Sequence, residues 1–163
     1  MTAIPGCVAT LERWGGSPLE RIEREEVDPI DLETATGLVA SIEADECSLA
    51  SFEDRDADRW LHVSCSNGSY VINARDQDGP YFLRRSSRPA EGRVIVWVAG
   101  FEWQFHRRFL LDRAEAEAVV AQFAGAGEWD FSGGSWEEAG VSPDSRPLGM
   151  PGAEGPDTEI SLN

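Results

Sequence analysis

The chain has 163 residues, 41% of them hydrophobic, with 30 acids against 14 bases and a formal net charge of −16. That apolar content is too high for a disordered chain, and that length can bury a core without disulfides or metal. A field of this sign repels nucleic acid and anionic lipid and attracts a basic protein; acidity that simply keeps a cytosolic protein soluble accounts for the charge equally well.

Every base is arginine, and the charge is unevenly spread. Residues 1–60 carry 15 acids and 5 arginines, residues 61–113 carry 5 and 8, and residues 114–163 carry 10 and 1. No repeat is visible, so a single domain is expected over residues 1–140, with its core in 28–138. The opening MTAIPGCVATLERWGG has neither the basic region nor the apolar run of a signal peptide. No stretch approaches the roughly 20 apolar residues of a membrane span. Cys7, Cys47 and Cys65 are odd in number and follow no metal or disulfide spacing. That pattern fits reduced thiols, and a cytoplasmic location is expected.

In chain order, CVATLERW has strand character and is stopped by Gly15, Gly16 and Pro18, while ERIEREEV is too charged to assign. Asp28-Pro29 predicts a helix start, with Asp as cap and Pro at the first helical position. Leu32, Ala35, Val39 and Ile42 then share one face of a helix over 29–44. SLASFE (48–53) is a short strand that runs into the acidic loop EDRDAD. WLHVSC (60–65) alternates, with Leu61, Val63 and Cys65 on one side and Trp60, His62 and Ser64 on the other. Asn67-Gly68 predicts a tight hairpin, because both residues tolerate positive φ. YVINAR (70–75) returns with Tyr70, Ile72 and Ala74 on one side, and DQDG (76–79) turns into PYFLRR (80–85).

After the polar SSRPAEG, RVIVWVA (93–99) is almost continuously apolar, which predicts a central strand. Gly100 permits a reversal into FEWQFH (101–106), with Phe101, Trp103 and Phe105 on one face and Glu102, Gln104 and His106 on the other. Asp112 and Glu115 form an acidic capping box. Ala116, Val119, Val120 and Phe123 make the apolar stripe of a second helix, stopped by Gly125 and Gly127. That stripe is expected to cover the aromatic side of strand 101–106. Residues 141–163, rich in Gly, Pro, Ser and acids, have the composition of a mostly disordered tail. The expected fold is α+β: an antiparallel meander sheet of five to six strands with two helices packed on one face.

No catalytic motif is apparent. His62 and Cys65 are three apart on a strand, so they point to opposite faces and cannot share a metal. Cys65 with His106 would need contact and an orienting third group to act as nucleophile and base, and nothing local marks one. GAGEWDFSGG follows a helix where a phosphate loop would precede one, and it lacks Lys. EDRDAD lacks the glycine and final Glu of a calcium loop. Arg84, Arg85, Arg88 and Arg93 could hold a phosphate, though on so acidic a chain internal pairing is the simpler expectation. No cofactor is implied.

The segments WLHVS and YVINARDQDGPYFLRR, the strand ending at Gly100, FEWQF, the helix AEAEAVVAQFAGAG and the closing Trp136-Glu137 together resemble the first family of bacterial polymorphic-toxin immunity proteins. The resemblance covers roughly residues 28–138 and rests on DGPYFLR at Asp78–Arg84, the Val94–Gly100 strand, the helix reaching Phe123 and the terminal Trp-Glu. GEWDFSGGS stands where the family has a Gly-x-x-Pro type step. The resemblance implies a cytoplasmic antitoxin, not an enzyme, that binds a secreted toxin, often a nucleic-acid deaminase. Any zinc would then belong to the toxin. The family shares no single interface, so contact residues come from charge and expected exposure: Glu53, Asp54, Asp56, Asp58, Asp76, Asp78, Glu102 and Gln104. The alternative from another class is an acidic mimic of nucleic acid that blocks several basic proteins.

Overall fold

The computed structural model describes residues 7–14, 21–28, 30–42, 49–77, 79–98, 101–125, 131, 134–138 and 145–147. The elements are β1 (Cys7–Trp14), β2 (Arg21–Val27), α1 (Leu32–Ile42), β3 (Leu49–Asp54), β4 (Arg59–Ser66), β5 (Ser69–Asp76), β6 (Tyr81–Arg84), β7 (Arg93–Val98), β8 (Phe101–His106), α2 (Arg113–Val120), β9 (Trp136–Glu138) and β10 (Ser145–Pro147). Seven strands form an open antiparallel sheet in the order β2-β1-β3-β4-β5-β6-β9, and three form a second sheet, β10-β8-β7. The α+β class and the two helices match expectation. The strand number is larger, because both N-terminal segments join the main sheet as a hairpin. β2 is an edge strand among the described strands, and its five charged residues are a known means of keeping an edge from pairing with other chains.

Period-two alternation decides which side of the main sheet is the core. Ala9, Phe52, Leu61, Val63, Cys65, Ile72 and Ala74 share one cluster with Ala35, Val39 and Ile42 of α1 and with Ala116, Val119, Val120 and Phe123 from α2 and the π-turn after it. Each large apolar side chain buried here contributes about 1.5–3 kcal/mol. Tyr70 ties the layers together. Its hydroxyl donates to Val39 O at 2.8 Å, and its backbone exchanges two hydrogen bonds with Leu111, at 2.9 and 2.8 Å. The Asn67-Gly68 turn is as expected, with φ of 51° and 75°.

Val71 and Leu83, on the opposite side of the sheet, form a second cluster with Val96, Phe105 and Phe109. The β7–β8 hairpin thus lies across the face away from the helices. This corrects two expectations. β7 is not central: among the described strands it is bonded to β8 alone, and its apolar run serves packing against the main sheet. The Val119/Phe123 stripe does not cover the aromatic side of β8, because the main sheet stands between them.

Helix α2 has the capping box read from the sequence. Asp112 Oδ1 accepts from Glu115 N at 2.8 Å, and Glu115 Oε2 accepts from Asp112 N at 3.1 Å. Helix α1 starts three residues later than Asp28-Pro29 predicts. Asp31 Oδ1 accepts from Thr34 N at 2.8 Å, and Leu32, expected on the buried face, is 41% exposed. Asp31 serves because the chain keeps Ile30 fully buried just before the cap. Pro29 lies outside the described residues.

The end of the opened chain also differs from expectation. Trp136–Glu138 closes the main sheet against β6, while Ser145–Pro147, inside the segment expected to be a tail, pairs with β8. Phe131 and Trp136 build an aromatic box with Phe82 and Phe123, with ring centroids 5.1–5.5 Å apart.

Candidate partner-binding surface

The β3–β4 and β5–β6 turns meet at one end of the main sheet. Asp54 builds the first: Oδ1 accepts from Asp56 N and Ala57 N, both at 3.2 Å, and Oδ2 accepts from Arg59 Nη2 at 2.9 Å. Asp58 follows in the left-handed region at φ 53°, which a short polar side chain tolerates. In the second turn, Gln77 has the same φ, and its N donates to Asp58 O at 2.9 Å, joining the two turns. Gly79 N donates to Asp76 O at 3.0 Å, and a Cβ at Gly79 would lie 2.9 Å from that oxygen. Only glycine fits there without a shift.

Five of the expected contact residues, Glu53, Asp54, Asp56, Asp58 and Asp76, therefore share one end of the molecule. Strand register then sorts them. Cys7, Asp54, Arg59 and Asp76 form one cross-strand row on the helix side. Arg59 is hydrogen-bonded to Asp54 at 2.9 Å and lies 4.0 Å from Asp76, so Asp54 is committed internally while Asp76 Oδ1 lacks a hydrogen-bond partner among the described residues. Burial first, then the Asp54 charge, push the Cys7 thiol up to about 11, which leaves it a poor nucleophile. Glu53 lies on the other side, and Asp56 and Asp58 are exposed without an ion pair to the described residues.

The remaining expectations fare differently. Asp78 and the Glu102 side chain lie outside the described residues. Gln104, expected to be exposed on that strand face, is instead 1% accessible, with Nε2 lacking a hydrogen-bond partner among the described residues. Both faces of β8 are covered at this position, which alternation within one strand does not reveal. Gln104 is therefore removed from the candidate surface.

A feature not singled out from the sequence lies beside the acidic turns. On the side away from the helices, Glu53, Trp60, Arg75 and Tyr81 stand in one cross-strand row, with His62 in the next. Trp60 stacks on His62 at 4.0 Å and meets Tyr81 at 5.5 Å, and the Arg75 guanidinium lies 4.9 Å over the Tyr81 ring. Tyr81 is 43% exposed. Loss of water around His62 lowers it to about 4, so the imidazole is neutral at pH 7. Trp60 and His62 alternating on one strand was the available signal; Tyr81 joins them only across β5.

The arginine-rich loop after β6 is internally satisfied. Arg85 and Arg108 both reach Glu137, at 3.3 and 2.7 Å, and Arg88 lies 3.5 Å from Asp112. A cleft of about 410 Å³ is lined by Arg84, Ser86, Ser87 and Glu115 among others. Its anion is already present. Burial raises the Glu115 carboxyl, but hydrogen bonds from Ser87, Asp112 and Ser86 outweigh this and hold it below the usual carboxylate range. A phosphate there would have to displace that carboxylate.

Cys65 lies in the helix-side cluster, while His106 is on β8 across the sheet, where its Nδ1 accepts from Arg108 N at 3.1 Å. They do not assemble as a nucleophile and base. No helix among the described residues is long and apolar enough to cross a membrane. No protein-family model, curated protein or solved structure matches the chain.

Proposed function

We propose that this chain is an immunity protein, which binds a cognate secreted bacterial toxin in the cytoplasm and inhibits it by covering its active site or substrate groove. A nucleic-acid deaminase is the toxin chemistry favoured by the resemblance at Asp78–Arg84, Val94–Gly100 and Trp136-Glu137. The observation that carries the reading is the acidic end of the main sheet, where two turns are locked together by Gln77 N and Asp58 O beside the half-buried Trp60 and the 43% exposed Tyr81. Acid around a rim steers a basic groove into encounter, and aromatic anchors slow release. A toxin that acts on DNA or RNA presents such a groove.

Charge mimicry draws less support. Asp54, Glu115 and Glu137 are committed to internal arginines and serines, so they do not join a free array of phosphate-like charges. The test is affinity capture from the source cell with a high-salt wash. One retained partner with a basic domain, whose activity this protein abolishes, is the expected outcome. Many partners lost together as salt rises would replace the reading with mimicry.

A further inference from the structure

We infer that the Trp60–Tyr81 patch is a seat for an arginine side chain presented by a protein partner. This deepens the reading above and rests on its basic partner. Large apolar side chains on a sheet face ordinarily receive a cover, as Phe105 and Val96 provide over Val71 and Leu83. Tyr81 has no such apolar cover among the described residues, only the Arg75 guanidinium over its ring, and with Leu32 it is one of two large hydrophobic side chains there that remain exposed.

The surroundings favour a guanidinium in particular. The protein already places two of its own at this patch. Arg75 lies over the Tyr81 ring, and Arg55 sits 3.3 Å from Glu26 and 3.9 Å from Glu53, the cross-strand neighbour of Trp60. Arg55 is half exposed and can yield its carboxylates to an incoming group. A planar guanidinium stacks on an indole while its edge donates to carboxylates; a lysine ammonium achieves only part of this. Asp56 and Asp58 at the adjacent turn supply further negative charge. A neutral His62 beneath Trp60 adds no positive charge at pH 7 to those of Arg75 and Arg55, which the Glu26, Glu53, Asp56 and Asp58 carboxylates outnumber.

The test uses the full chain and two short probes, Ac-Gly-Arg-Gly-Arg-Gly-NH2 and its lysine counterpart, titrated with NMR detection of the tryptophan indole N–H signals. The arginine peptide should bind about threefold tighter than the lysine peptide, and shift the Trp60 signal most. The double variant Trp60→Leu/Tyr81→Leu keeps every charge and should bind about fivefold more weakly. Trp60→Phe, which keeps a ring, should recover part of the loss and guards against a folding defect. Equal binding by the double variant, no preference for arginine, or no binding by the native protein would each overturn the inference. The immunity reading fails separately: a captured toxin bound equally well by the double variant sinks the seat alone, and a working seat with no toxin captured sinks the immunity reading alone.

Discussion

Two aromatic clusters, on opposite sides of one sheet, have opposite fates. On the helix side, Phe82, Phe123, Phe131 and Trp136 pack ring against ring, with Phe123 at 1% and Trp136 at 7% exposure. On the other side, Trp60, His62 and Tyr81 make contacts of similar closeness, yet Tyr81 stays 43% exposed. Ring contacts alone do not distinguish them. The difference is the cover: the turn after α2 brings Phe123 down on one cluster, whereas β7–β8 crosses the opposite face over Val71 and Leu83 and stops short of Tyr81. One cluster is closed by the fold's own elements, and the other leaves Tyr81 exposed among the described residues.

The sharpest way to break this contrast is truncation on each side. Phe123→Ala should cost about 3–5 kcal/mol in urea unfolding, through lost burial and a cavity. Tyr81→Ala should cost under about 1 kcal/mol, the scale of a cross-strand aromatic pair. Similar losses for the two would mean that Tyr81 is structural. The next effect is in pH. His62 titrates near 6.5 when unfolded and at about 4 when folded, so the unfolded chain binds the extra proton between those values. Its stabilising contribution is complete above pH 6.5 and is lost as pH falls toward 4, a loss on the order of 2–3 kcal/mol. His62→Phe should flatten that part of the stability profile; an unchanged slope would assign it to the carboxylates. Tyr70→Phe should cost about 1–2 kcal/mol, because Val39 O loses a buried donor. The smallest effect is at the acidic end. Asp58→Gly relieves a positive φ and should change stability by only a few tenths of a kcal/mol in the favourable direction, while slowing association with a basic partner in stopped-flow measurements.

What was legible in the sequence was local. Asn67-Gly68, the Asp112/Glu115 box and the alternation in β4 and β5 each depend on neighbours a few residues away, and each forms as read. What was not legible depends on remote elements. The apolar run of β7 fits a central strand or a hairpin lying over another sheet, and only the position of Val71 and Leu83 decides between them. Gln104 looked exposed because alternation describes one strand and says nothing of a second cover. The acidic loops were found, but not their division. Asp54 and Asp76 turn toward Arg59 because of cross-strand register, which leaves Glu53 beside Trp60 on the other face.

The triple attachment of Tyr70 bears on how the molecule comes apart. Its backbone is latched to Leu111, one residue before the cap of α2, and its hydroxyl is latched to the last turns of α1. Helix α1 cannot lift at Val39, nor the lead-in to α2 at Leu111, without breaking a bond to this one residue. Amide hydrogen exchange should therefore find α1, β5 and the start of α2 opening as a single unit, with nearly equal protection. Such a unit would give a protein bound on the far face, as proposed, a firm backing, because the sheet behind the contact would not open piecemeal.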